Sequence, residues 1–275
     1  MTGGHLVLDH VGKVYDGGAG HVTAVEDCSL EISPGELHVI LGPSGCGKST
    51  LLSAVAGFTA ITSGAIELDG RVLCGPDQPT ARPGADRVVV FQDSTLFPWR
   101  TVTENLAYGP EVQGRKSRRE ARGLANEQLA RAGLSDIADR YPGELSTGMQ
   151  RRVEILRALC NEPAVLLLDE PFRGMDALSR AAMHEALLET YDRSGVTVLF
   201  ITHDVEEAVF LGTHVSVMTT RPGRIKTTVQ VDLPRPRSLD IVTDPEFRLL
   251  VGEVSEAVRA EARQAFEAGE KEMVR

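Results

Sequence analysis

At 275 residues, with 42% hydrophobic and 25% charged side chains, the chain has an ordinary globular composition and the length of one large α/β domain with an inserted lobe, or of two small domains. A formal net charge of −10 argues against nucleic acid as the main ligand, because that partner selects a basic surface. No apolar run is long enough to span a bilayer, Met1–His5 lacks the basic start and apolar core of a signal peptide, and Cys28, Cys46, Cys74 and Cys160 have no paired or metal-ligand spacing; a reduced, cytoplasmic protein is expected.

Leu6 to Val14 and Val22 to Ile32 read as strands around a glycine-rich turn, Asp16-Gly17-Gly18-Ala19-Gly20. Ser33-Pro34-Gly35-Glu36 then leads into an apolar run, Leu37 to Leu41. The next stretch, Gly42-Pro43-Ser44-Gly45-Cys46-Gly47-Lys48-Ser49-Thr50, precedes a helix-like Leu51 to Ala56. Strand, glycine loop, helix is the context in which G-x-x-x-x-G-K-[ST] means a phosphate cradle. Gly42, Gly45 and Gly47 free the backbone to aim successive N–H groups at one anion, and the helix start adds its unpaired amides. Lys48 is placed to reach the β- and γ-phosphates and the Ser49 hydroxyl to ligate Mg²⁺.

Ala65 to Val72 alternates apolar with polar residues, as one half-exposed antiparallel strand does. With the first two strands it predicts a small antiparallel sheet beside the core. Four apolar runs follow, Val88–Phe91, Ala164–Leu168, Val196–Ile201 and His214–Met218, whose continuity predicts a parallel sheet buried on both faces. The block between the first two reads as helix throughout. Thr101/Glu104 and Ser117/Glu120 have capping-box spacing, Gly133 marks a stop, and a third helix is expected from about Ser146 to Asn161 with Met149, Val153, Leu156 and Cys160 on its buried stripe. After another strand, Ile225 to Val231, Pro234-Arg235-Pro236-Arg237 is too proline-rich for regular structure, and Asp244-Pro245-Glu246 opens a charged helix carrying Leu250, Val254 and Val258 on one side.

Val165-Leu166-Leu167-Leu168-Asp169-Glu170 is a buried strand ending in two carboxylates. Asp169 is expected to hold Mg²⁺, and Glu170 to accept a proton from the water that attacks the γ-phosphate.

In order along the chain, the phosphate loop, Gln92 after a short strand, Leu145-Ser146-Thr147-Gly148-Met149-Gln150 before a helix, Leu168-Asp169-Glu170-Pro171, Asp176, and His203 after another strand together resemble ATP-binding-cassette ATPases, over roughly residues 5 to 225. The resemblance implies an α/β P-loop NTPase fold: a RecA-like core with a mostly parallel sheet, an antiparallel β-subdomain and an inserted helical subdomain. The ATPase domain is expected over 1–232, its helical part over about 93–162, and a C-terminal extension over 233–275.

The resemblance also implies roles. ATP is bound by Gly42, Pro43, Ser44, Gly45, Cys46, Gly47, Lys48, Ser49 and Thr50, while Tyr15 stacks on adenine, an interaction worth roughly 1 kcal/mol. Ser49, Gln92 and Asp169 attend Mg²⁺; Glu170, His203, Gln92 and Lys48 form the catalytic set. Ser146 and Gly148 meet the γ-phosphate of the opposite subunit, and Asp176 contacts that subunit. Two features depart from the family pattern: Thr147 and Met149 stand in L-S-G-G-Q, and Arg173-Gly174-Met175 precedes Asp176 where small residues are usual.

Such a site needs a second ATPase subunit, expected as a second copy in a head-to-tail twofold pair that ATP closes and hydrolysis loosens. Phe97-Pro98-Trp99-Arg100 resembles the segment bordering the groove for a permease helix, and with Arg221-Pro222-Gly223-Arg224 it looks most like importers of nitrate, sulfonate, taurine or thiamine precursors. Permease and solute-binding protein would be separate chains, and the subunit would lie peripherally on the cytoplasmic face of the membrane. The alternative is a non-transport member acting in translation or DNA repair, which usually carries tandem cassettes or a long coiled coil, and a GTP switch would need [NT]-K-x-D; none of these features is found in the sequence. The basic cluster Arg115, Lys116, Arg118, Arg119 and Arg122 reads as a solvated helix face.

Overall fold

The structure, a computed structural model, describes residues 3–17, 20–75, 77, 78 and 80–267; Gly18 and Ala19 of the expected first turn and 268–275 of the expected extension lie outside the described residues. The strands are β1 (Leu6–Gly17), β2 (Gly20–Ile32), β3 (Leu37–Leu41), β4 (Ser63–Leu68), β5 (Arg71–Cys74), β6 (Arg87–Val90), β7 (Val165–Asp169), β8 (Thr197–Thr202), β9 (His214–Met218) and β10 (Ile225–Gln230). The helices are α1 (Lys48–Ala56), α2 (Val102–Val112), α3 (Arg118–Arg131), α4 (Thr147–Leu159), α5 (Ala177–Ser194), α6 (Val205–Leu211) and α7 (Pro245–Glu267).

The apolar runs form one sheet in the order β10-β9-β3-β8-β7-β6, parallel except for β10, which pairs antiparallel at the edge. Every residue of β3 and β8 is buried, as strands covered on both faces must be. On one face lie α1 and the antiparallel sheet β2-β1-β4-β5; on the other lie α5, α6 and α7. The alternation over Ala65–Val72, read as one strand, is a hairpin. Asp69 and Gly70 both take positive φ, 53° and 72°, and turn the chain between β4 and β5.

Helices α2, α3 and α4 enclose a separate core around Val102, Leu106, Ala125, Leu129, Val153 and Leu156. Both expected capping boxes are present, with Thr101 and Ser117 as caps. The block is not helical throughout. Residues 91–101 form no helix, and between α3 and α4 the only helical turns are Ser135–Ile137 and Pro142–Glu144.

Beyond β10 the chain packs back on the sheet domain. Arg237, 6% exposed, donates from Nη1 to the carbonyls of Phe210 and Gly212 (2.9 and 2.8 Å) and from Nη2 to that of Val231 (3.3 Å). It thus receives the C-terminal carbonyls of α6, a good place for a cation. Burial lowers the Arg237 guanidinium pKa to about 10. Phe247 and Val254 of α7 are buried in the same core. No helix among the described residues is long and apolar enough to cross a membrane.

Candidate active site

Buried β3 delivers the phosphate loop to the C-terminal end of the parallel strands, and α1 starts at Lys48. At Gly47 φ is 104°, and a Cβ there would meet the Ala24 carbonyl oxygen at 2.6 Å, so both conformation and space require glycine. Lys48 is 5% exposed, and its ammonium donates to the carbonyls of Gly42 (2.7 Å) and Pro43 (2.9 Å). The loop thereby holds its own cation against its rim.

Strand β7 brings Asp169 beside this loop, where the Ser49 hydroxyl donates to Asp169 Oδ1 at 3.0 Å. Burial pushes the Asp169 carboxyl up and adjacent Glu170 adds to the rise, against the pull of the Ser49 hydrogen bond and of Lys48. The paired hard oxygens of Ser49 and Asp169 are a donor set that suits Mg²⁺. Glu170 follows with φ 43°, a conformation costly for a side chain and frequent at functional sites, and its N–H donates to Ile201 O at 3.0 Å. Its Oε2 lies 3.3 Å from His203 Nδ1 and 3.4 Å from Arg173 Nη1.

Ser49, Asp169, Glu170 and Arg173 line a cavity of about 320 Å³ together with Tyr15, Val22, Ala24, Ser44, Gly45, Gly47, Lys48, Thr50, Gln92 and Arg221, whereas His203 is outside the lining and meets the site through Glu170. Tyr15 is 42% exposed at its mouth, with Lys13 Nζ 4.8 Å from the ring centroid. Gly42 and Pro43 serve through their carbonyls behind Lys48, and the Cys46 side chain points into the core instead. Ser146, Gly148 and Asp176 do not line the cavity. Ser146 caps α4, accepting from Met149 N at 3.3 Å. Asp176 caps α5, and the bond from Ser179 holds its carboxyl below the usual range.

Four cavity residues are not read from the sequence as site residues: Val22 and Ala24 read there only as part of a strand, and two arginines have other readings. Arg173 stood out only as a departure from small residues, and Arg221 only as part of a turn. Arg221 Nε donates to Gly45 O at 2.9 Å. Its turn is stitched to β2 by Gly223 N donating to Ala24 O and Glu26 N donating to Gly223 O, both at 3.0 Å.

Gln92 is anchored from the helical lobe. Arg151 of α4 donates to Phe91 O at 2.6 Å and also to Gln92 O, and pairs with Glu154 at 2.7 Å. Glu154 Oε1 in turn accepts from Ser94 Oγ (3.0 Å) and Thr95 N (2.5 Å). The helix that Ser146 caps therefore grips the loop that carries Gln92.

A glycine loop between a buried parallel strand and a helix, with a lysine in its rim and a strand-end aspartate on its serine, defines a P-loop nucleoside triphosphatase. The sequence profile of the ABC transporter family matches residues 25–173. Nitrate import ATP-binding protein NrtD of Synechocystis sp. is 40% identical over 270 residues, covering 96% of this chain and 98% of that protein. Taurine import ATP-binding protein TauB of Rhizobium johnstonii is 42% identical over 261 residues, covering 93% and 95%. A dimeric, post-hydrolysis ATP-binding cassette bound to ADP and Pi superposes with a TM-score of 0.69 at 29% identity, covering 83% of this chain and all of that one. The chain belongs to the ABC transporter family, as an ATP-binding subunit that hydrolyses ATP.

Proposed function

We propose that this ATPase powers a membrane importer for a small solute of the nitrate, sulfonate, taurine or thiamine-precursor class, working as a head-to-tail homodimer. The observation that carries the reading is the division of the motif residues: Lys48, Asp169 and Glu170 line one cavity, with His203 3.3 Å from Glu170, while Ser146, Gly148 and Asp176 have no part in its lining. Two copies complete each other's sites. Leu178, 81% exposed beside Asp176, suits that contact. Nitrate and taurine import in the relatives' names supports the solute class.

In this reading Lys48 and the loop amides bind the phosphates, and Tyr15 stacks on adenine. Ser49, Asp169 and Gln92 hold Mg²⁺, which screens the charge of the β- and γ-phosphates. Glu170 takes the proton of the attacking water while His203 fixes its carboxylate. Ser146 and Gly148 of the second copy close on the γ-phosphate. Replacing Tyr15 by Ala is expected to weaken ATP binding about fivefold, a stacking energy of ~1 kcal/mol, with Trp restoring it; an unchanged dissociation constant by calorimetry removes Tyr15 from the adenine.

The permease contact is assigned to Phe97–Arg100. Phe97 packs edge-on against Tyr108, ring centroids 4.8 Å apart, and fully buried Asn105 ties the loop through the carbonyls of Phe97, Arg100 and Thr101. Trp99 stands 71% exposed beside a groove of about 320 Å³ between β6 and the α2–α4 lobe. The subunit then sits peripherally on the cytoplasmic face, reaching a solute-binding protein only through the permease. Isolation of the intact membrane complex tests this: the permease should co-purify with the native subunit and be lost with Trp99→Asp, while retention by the variant, or no permease at all, defeats the assignment.

A further inference from the structure

Glu36, His38 and His214 meet at the foot of the main sheet, at the ends of β3 and β9 opposite the phosphate loop. They play no part in nucleotide binding. His38 lies directly across from His214 on the neighbouring parallel strand, so their approach is set by backbone register. His38 Nδ1 and His214 Nδ1 are each 2.8 Å from Glu36 Oε1. The rings stack with centroids 5.8 Å apart and planes within 7° of parallel, and one donor atom from each of the three side chains falls within 4.8 Å of the others.

Two further observations point to a ligand. His214 Nδ1 is a buried atom with no hydrogen-bond partner, since its approach to Glu36 lacks the alignment of a bond; such an orphan calls for an explanation. The outer partners of a metal site are also in place. His38 Nε2 meets Ser216 Oγ at 2.7 Å, which in turn meets Thr228 Oγ1 at 2.7 Å, and Glu36 Oε2 accepts from Ser33 N at 3.0 Å. With Nε2–H donated to Ser216, the Nδ1 lone pair of His38 faces inward.

We infer that Glu36, His38 and His214 form a binding site for a divalent transition-metal ion, Zn²⁺ being the best match. Two imidazoles and a carboxylate with a fourth position open to water are a zinc donor set, whereas Mg²⁺ prefers oxygen alone. Zinc bond lengths of about 2.0–2.1 Å place tetrahedral donors ~3.3 Å apart, so binding opens each Glu36–His separation by about half an ångström. His214, whose side chain is 33% exposed, supplies that movement and the access route. The ion ties β9 to β3 far from the phosphates and acts on stability.

The test uses the untagged full chain, stripped of metal and free of nucleotide, titrated with Zn²⁺ by calorimetry and with Co²⁺ by visible absorbance. One equivalent should bind with micromolar affinity or better, with tetrahedral Co²⁺ bands. Zn²⁺ at a hundredfold excess over its dissociation constant should raise Tm by about 5 °C. His214→Asn should weaken binding about 100-fold or more, since loss of even an outer partner costs 10- to 100-fold; Ser49→Ala should leave it intact. Absence of binding, or equal binding by His214→Asn, overturns the inference and leaves a charge cluster.

Discussion

Glu170→Gln is expected to bind ATP, accumulate as a nucleotide-loaded dimer and lose about a thousandfold in turnover, within the range that one positioned general base supplies. The carboxylate sits at the end of buried β7 with its backbone at φ 43°, and its Oε2 is shared by His203 and Arg173. An amide keeps the volume and most of those contacts but cannot accept the water's proton. Steady-state hydrolysis and gel filtration with and without Mg²⁺-ATP check both halves of the statement. Turnover within tenfold of the native protein assigns the base to another residue. A monomer in the presence of ATP rejects the two-copy site and leaves the proton transfer untouched.

Arg151→Met is expected to cost about 3–5 kcal/mol of stability, the usual penalty for stranding one member of a buried ion pair. The Arg151 and Glu154 side chains are only 7% and 1% exposed. Without the guanidinium, the carbonyls of Phe91 and Gln92 also lose their donor. Urea denaturation of the single variants and of Arg151→Met/Glu154→Met forms the cycle. The double variant should recover much of the loss, because two apolar chains leave no charge unpaired. A single variant within 1 kcal/mol of native would show that solvent reaches the pair.

Much of this architecture is legible in the amino-acid order, for definable reasons. A strand covered on both faces must be apolar almost throughout, so Ala164–Leu168 and Val196–Ile201 announce themselves, and a glycine-lysine loop has few uses after such a strand. The hairpin at Asp69-Gly70 is legible too, because an Asp-Gly pair between alternating arms favours the two positive φ angles found there; reading one strand over Ala65–Val72 passes over that pair. The grip of Arg151 on the glutamine loop was illegible. Its partners are main-chain carbonyls some 60 positions away, and a carbonyl leaves no trace in residue identity. Arg221 escaped in the same manner, bonding the carbonyl of Gly45. Family order fixed which groups belong to the motif set. Which of them share a cavity is a matter of distance, known only after folding.

Arg237 has exchanged water for the carbonyls at the end of α6, and α6 follows directly on His203-Asp204. Residues 233–267 are therefore a keystone and not a trailing handle. Trimming the chain at that point would bare Phe210 and the seat of Phe247 and Val254 at one stroke. An expression fragment cut to the matched span 25–173, or even to the last strand, would lack the abutment on which the histidine segment rests.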